Sequence, residues 1–233
     1  MTIATNLTQL KQRIQLAAKL ANRDPADIKL LAVSKTRSQA EIAMAIAAGQ
    51  TCFGENYLQE ALPKIIALQN YHLEWHFIGA IQANKTRKIA EHFAWVQSLD
   101  NAHIAKRLSE QRPAYLPPLN VCIQININDE ASKSGVLINE VDALAKAISD
   151  YPKLRLRGLM VIPKVVNTPA QLSHSFKLVR EKFLSLQQQG FELDTLSMGM
   201  SQDLELAIVA GATMVRVGKD VFTLSSGFPP ARE

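Results

Sequence analysis

Cysteine is scarce in this chain: there are two in 233 residues. Cys52 and Cys122 both sit in apolar, strand-like runs. They read as buried free thiols of a reducing compartment, which explain them better than a disulfide or a metal site. No apolar run is long enough to cross a bilayer, and the N-terminus lacks the basic-then-apolar layout of a signal peptide. The expected location is the cytoplasm. Aromatic residues make up 6% of the chain, and no basic run is interleaved with them. A net charge of +5 and a pI near 9.2 then suit a small anionic ligand and a solvated basic surface. No nucleic-acid and no membrane partner is expected. There is no low-complexity linker. Pro113 to Pro118 is the best candidate for a mid-chain loop, and the same pattern continues across it. One domain over residues 1–233 is the expectation.

That pattern is an alternation. A leading amphipathic helix is predicted from about Leu7 to Ala21, with Leu10, Ile14, Leu16, Ala17 and Leu20 at helical spacing and Thr5 or Asn6 as its cap. Apolar strand-like runs follow, ending near Lys35, Asn56, Gly79, Asp100, Asn126, Ile162, Met200 and Gly218. Helical stretches come between them, from about Gln39, Tyr57, Asn84, Asn101, Leu137, Pro169 and Asp203, and one more from Asp220. Strict alternation implies a parallel sheet covered by helices. Eight units after a helix suit a (β/α)8 TIM-type barrel, an α/β fold of about 250 residues. The competing open doubly wound sheet lacks its Gly-x-Gly-x-x-Gly after the first strand.

A barrel carries its chemistry at the carboxyl ends of its strands. Those ends hold Lys35, Asn56, His76 with Gly79, Ser98 with Asp100, Asn126, Met160, Ser197 to Ser201, and Arg216 to Gly218. Lys35 closes the run from Ile28 and is a candidate Schiff-base nucleophile. After the seventh strand, Gly199 allows a close backbone approach and Ser201 is expected to cap the next helix. After the eighth, Gly218 and Lys219 open a turn. Two such loops side by side suit a phosphate. Arg216 lies between Val215 and Val217 and is expected to point into the barrel, where a guanidinium needs an acceptor. Asp203 or Glu205 could supply it, and so could a pyridine nitrogen. A lysine, a phosphate nest and a buried cation together describe a pyridoxal 5′-phosphate (PLP) site.

The chain resembles the PLP homeostasis protein family, also called the proline synthetase co-transcribed or alanine racemase N-terminal domain-like family. The matching runs are Ala32 to Thr36, Phe53 to Tyr57, Trp75 to Gly79 with Gln82 and Asn84-Lys85, Ser132 to Gly135, Arg157 to Met160, Ser197 to Ser201 with Asp203 and Glu205, and Val215 to Gly218 with Phe222. They span nearly the whole chain. The resemblance implies a single-domain PLP barrel of fold type III with Lys35 as the Schiff-base lysine. It implies Ser201, Gly218 and neighbouring N–H groups on the phosphate, Arg216 near the pyridine nitrogen, and Asn56 beside the cofactor. His76 and Met160 would line the pocket. Two departures stand out. The family usually has Thr or Ser where this chain has Lys219, and Gly where it has Thr223. Lys219 is left with its backbone N–H, or its ammonium, for the phosphate. The tail after Phe222 also differs.

The function so implied is a carrier, buffer or regulator of PLP supply that holds the cofactor as a lysine aldimine, with little or no turnover. Arginine at the ring nitrogen weakens the electron sink, and an end at residue 233 leaves no room for the second domain of alanine racemases. Apo PLP-dependent enzymes are candidate recipients, and a monomer is the expected state. The alternatives are a PLP-dependent amino-acid racemase or related enzyme, and a class I aldolase-like barrel. The remaining polar residues have plainer readings. His72 and His76 form no complete metal ligand set. Lys133 is a solvated loop lysine, and Glu55 is an ion-pair partner near the rim.

Overall fold

The computed structural model describes residues 2–128, 134–163 and 168–223. Eight strands close into one parallel barrel in sequence order. They are β1 (Lys29–Val33), β2 (Cys52–Glu55), β3 (Glu74–Phe77), β4 (Trp95–Leu99), β5 (Leu119–Ile125), β6 (Leu154–Val161), β7 (Thr195–Ser197) and β8 (Met214–Val217). Closure is made by β1, which pairs with β2 on one side and β8 on the other. The expected barrel is therefore the observed one, and each strand ends within about three residues of its predicted end.

The helices outside are α1 (Ile3–Leu20), α2 (Gln39–Ala47), α3 (Leu58–Ala67), α4 (Thr86–His92), α5 (Ala102–Gln111), α6 (Val141–Ser149), α7 (Pro169–Gln188), α8 (Leu204–Val209) and α9 (Lys219–Phe222). Local chemistry starts several of them. Ser38 and Glu41 form a capping box on α2, and Thr168 and Gln171 form another on α7, whose first residue is Pro169. These devices satisfy N–H groups that a helix start leaves unpaired. The main core lies between sheet and helices, where Phe53, Phe93, Val96, Phe176 and Val179 are almost fully buried.

The leading helix differs from its prediction. It starts at Ile3, and Thr2, not Thr5 or Asn6, caps it by accepting from the Thr5 N–H. Asn6 is instead buried and donates to the carbonyls of Val221 and Thr223. Leu16 and Leu20, which share the helical spacing, are 63% and 82% exposed. The buried stripe is Ile3, Leu7, Leu10, Ile14, Ala17 and Ala18. Helical spacing marks apolar positions, and a helix against a barrel buries only one narrow face of them.

Inside the barrel the residues alternate with those facing the helices. Leu31, Ile78 and Met214 form one interior cluster, and Trp95, Cys122 and Met160 another. Polar side chains fill the rest of the interior.

Candidate functional site

The carboxyl end of β1 is built on a buried ion pair. Glu55 is fully buried. Its Oε1 accepts from Ser34 Oγ at 2.6 Å and from Lys64 Nζ at 2.8 Å. Lys64 also donates to the Ser34 carbonyl at 2.8 Å. Glu55 is thus an ion-pair partner, with Lys64 of α3. Two residues past Ser34 the backbone enters the left-handed region at Thr36, with φ of 62°. That conformation is costly for a β-branched residue. The Glu60 carboxylate holds it by accepting from the Thr36 N–H at 2.9 Å. Lys35 sits in this braced turn with an exposed side chain. Lys29 and Leu31 face the barrel interior, where Lys29 lies near Glu74 and Leu31 packs on Met214. Lys35 keeps their parity beyond the strand end.

Across the mouth, Asn56, Ile78, Gly79, Ala80, Gln124, Asn126, Ser134 and Ile162 are among the residues lining a cavity of about 320 Å³. A Cβ on Gly79 would stand 2.0 Å from the Asn56 carbonyl oxygen, so only glycine allows this approach. The Asn56 Oδ1 is buried with no hydrogen-bond partner among the described residues. A larger cavity, about 710 Å³, lies at the opposite end of the barrel among the strand starts, near Lys29, Cys52 and Glu74. Size does not select between the two, because barrels of this fold carry their chemistry at the carboxyl end, where Lys35 and the loops after β7 and β8 lie.

Arg216 is 4% exposed and points into the barrel. Burial pushes its guanidinium down to about 10, so it stays charged at neutral pH. Neither expected carboxylate binds it. Its NH1 donates to Ser197 Oγ and its NH2 to the Val161 carbonyl, both at 2.8 Å. Glu205 is taken by Arg13, which also donates to Asp220 and to the Ser201 carbonyl. Asp203 turns back to accept from the Met200 N–H.

Asp203, and not Ser201, occupies the N-cap position of α8. Ser201 lies two residues earlier in the loop, where its carbonyl is fixed by Arg13. Gly199 has a φ of 95°, and a Cβ there would meet Ala207 at 2.5 Å. Gly218 directly precedes α9 and crowds Val33, with 3.1 Å between an added Cβ and the Val33 carbonyl. Lys219, the first residue of α9, is exposed. Ser201, Gly218 and Lys219 thus stand on the two adjacent loops after β7 and β8.

His76 and Met160 lie deeper than predicted. Both are completely buried and neither lines the mouth cavity. His76 Nε2 stands 2.9 Å from Glu74 Oε1, and its ring stacks on Trp95 at 5.1 Å. Cys52, Glu74 and His76 bring their ligand-type atoms within 4.8 Å of one another, a grouping that sequence reasoning missed. It considered His72 with His76, but His72 is exposed. The period-two spacing of Glu74 and His76 on β3 was the available signal. Lys133 and the tail from residue 224 onward lie outside the described residues.

Fold and site together define a class: an eight-stranded parallel barrel with a lysine at the end of its first strand and a buried arginine on its last. The family described as alanine racemase, N-terminal domain, matches residues 5–226. A pyridoxal phosphate homeostasis protein of Pseudomonas aeruginosa is 56% identical over 221 residues, covering 95% of each chain. One from Escherichia coli is 51% identical over 226 residues, covering 94% of this chain and 95% of its own. Among solved structures, PipY of Synechococcus elongatus with PLP bound is 36% identical with a TM-score of 0.83, covering 95% of this chain and all of that one. The chain belongs to the alanine racemase N-terminal domain family, and within it to the pyridoxal phosphate homeostasis proteins.

Proposed function

We propose that this protein binds PLP at the barrel mouth and acts in PLP homeostasis as a carrier, buffer or regulator. The observation that carries this reading is Arg216, a buried cation whose two hydrogen-bond acceptors are both uncharged. A guanidinium has five N–H donors, and a buried one is stabilised by a further acceptor. An unprotonated pyridine nitrogen is such an acceptor. The buried Asn56 Oδ1, without a hydrogen-bond partner among the described residues, also fits a bound polar ligand. PLP binding by PipY and the names of the close relatives support the same reading.

Each residue then has a task. Lys35 supplies the amine that condenses with the aldehyde, from a turn braced by Glu60 and the Glu55–Lys64 pair. Arg216 would hold the ring nitrogen, and Asn56 would flank the ring. Ser201, Gly218 and Lys219 present N–H groups to the phosphate, with the Lys219 ammonium standing in for the missing hydroxyl. When bound, PLP supplies an electrophilic aldehyde and an electron sink. Arg216, which can only donate, would favour an unprotonated ring nitrogen and so a weak sink. His76 and Met160, buried below the mouth, support the site without lining it. The protein works as a monomer in the cytoplasm and delivers PLP to apo PLP-dependent enzymes.

The test is α-proton exchange of L-amino acids in deuterated water, followed by NMR against a free-PLP control. Exchange at the control level, with PLP passed to an apo enzyme, is expected. Exchange well above it that disappears in Lys35→Ala would restore the racemase reading, since positioned acid and base groups each contribute about 10²–10⁴-fold.

A further inference from the structure

A line of hydrogen bonds crosses the barrel interior from Arg216 to Glu74. Arg216 NH1 donates to Ser197 Oγ at 2.8 Å. Ser197 Oγ donates to Gln97 Oε1 at 2.6 Å. Gln97 Nε2 meets His76 Nδ1 at 2.8 Å, and His76 Nε2 meets Glu74 Oε1 at 2.9 Å. Ser197, Gln97 and His76 are completely buried.

The line has one direction. A guanidinium can only donate, so the Ser197 hydroxyl passes its own hydrogen on to the Gln97 oxygen. That fixes the Gln97 amide with its NH₂ toward His76. An amide NH₂ cannot accept, so His76 Nδ1 is the acceptor and Nε2 carries the proton. The Nε2–H then needs an acceptor, and the Glu74 carboxylate is one. Burial favours neutral His76, in keeping with this single tautomer. Lys29, 3.7 Å from Glu74 Oε1 at the strand starts, closes the far end. With Lys29, six side chains from five strands thus agree on one pattern.

We propose that Gln97, His76 and Glu74 are positioning residues that orient Arg216 for the cofactor's ring nitrogen from the far end of the barrel. They touch no ligand. They act by leaving Ser197 one hydroxyl orientation and Arg216 one rotamer. The Cys52–Glu74–His76 grouping is then the end of this line, because His76 Nε2 is committed to Glu74. The inference rests on the reading of Arg216 as the ring-nitrogen partner.

The test uses the full chain with PLP as the probe. It reads the dissociation constant and absorption maximum of bound PLP, and the melting temperature without PLP. Gln97→Met keeps the volume and breaks the line, and Glu74→Leu removes the terminal acceptor. Both are expected to weaken binding by about three- to tenfold and to move the absorption maximum. Glu74→Gln, which keeps an acceptor for His76, is expected to recover most of the Glu74→Leu loss. In an Arg216→Leu background, Gln97→Met should add little, since the line then has nothing to orient. The inference is overturned if Gln97→Met and Glu74→Leu change the melting temperature alone, or if Gln97→Met costs the same with and without Arg216. If wild-type protein fails to bind PLP, or Arg216→Leu leaves binding intact, the proposed function itself fails.

Discussion

Single residues carry unequal weight in this barrel. Gly79 is fixed by the Asn56 carbonyl, 2.0 Å from where a Cβ would be. Gly79→Ala must push β2 from β3 at the mouth, and overpacking of this kind costs about 1–3 kcal/mol. Urea denaturation should show that loss, with weaker PLP binding because Asn56 moves too. Glu74 is informative in another way. Burial opposes its ionisation, but the His76 N–H and the Lys29 ammonium outweigh it and hold the carboxyl down at about 2. A depressed carboxyl stabilises the fold fully above its unfolded value, about 4.3. That stabilisation is lost as pH falls from there through about 2. Chemical denaturation across this window should therefore show a shallower pH slope for Glu74→Gln than for wild type. Equal slopes would mean that Glu74 is not held in this way.

At the scale of elements, α1 acts as a brace for the loops after β7 and β8. Arg13 reaches Glu205, Asp220 and the Ser201 carbonyl, while Arg23, past the end of α1, ties down the far end of α8 through the carbonyls of Ile208 and Ala212. Arg13 is partly exposed, so its stability contribution is small, about 0.2–1 kcal/mol. Its effect on the loop should be larger. Arg13→Ala is expected to weaken PLP binding about threefold or more while barely changing the melting temperature, given that hydrogen bonds to charged groups reach roughly 1.5–3 kcal/mol. Titration with PLP and with pyridoxal would locate the effect, since the loss should be confined to the phosphorylated ligand.

The elements also show what was legible in the sequence. Strand ends could be read because each strand is a short apolar run closed by a polar residue, as at Lys35 and Asn56. Helix starts could be read where a cap is written out, as at Ser38 and Thr168. The start of α1 was missed because its cap, Thr2, precedes another threonine and an asparagine that fit the same role. Ser201 was misplaced for the same reason: Asp203, two residues on, competes for the cap. The partners of Arg216 were beyond reach. Ser197 and the Val161 carbonyl come from β7 and from the end of β6, and no spacing along one strand reports a contact across the barrel.

Over the whole molecule, the barrel separates support from chemistry. The interior chain from Lys29 and Glu74 runs up to Arg216, the ion pair of Glu55 and Lys64 holds the end of β1, and α1 holds the last two loops. All three supports converge on the mouth, where Lys35 stands exposed in a turn held at Thr36. Carriage of PLP by this barrel depends on its capture by Lys35. Borohydride reduction of the PLP-loaded protein, followed by peptide mass spectrometry, tests it most directly. A reduced phosphopyridoxyl group is expected on Lys35 and absent in Lys35→Ala. A group found mainly on Lys133 or Lys219 in wild-type protein would contradict it.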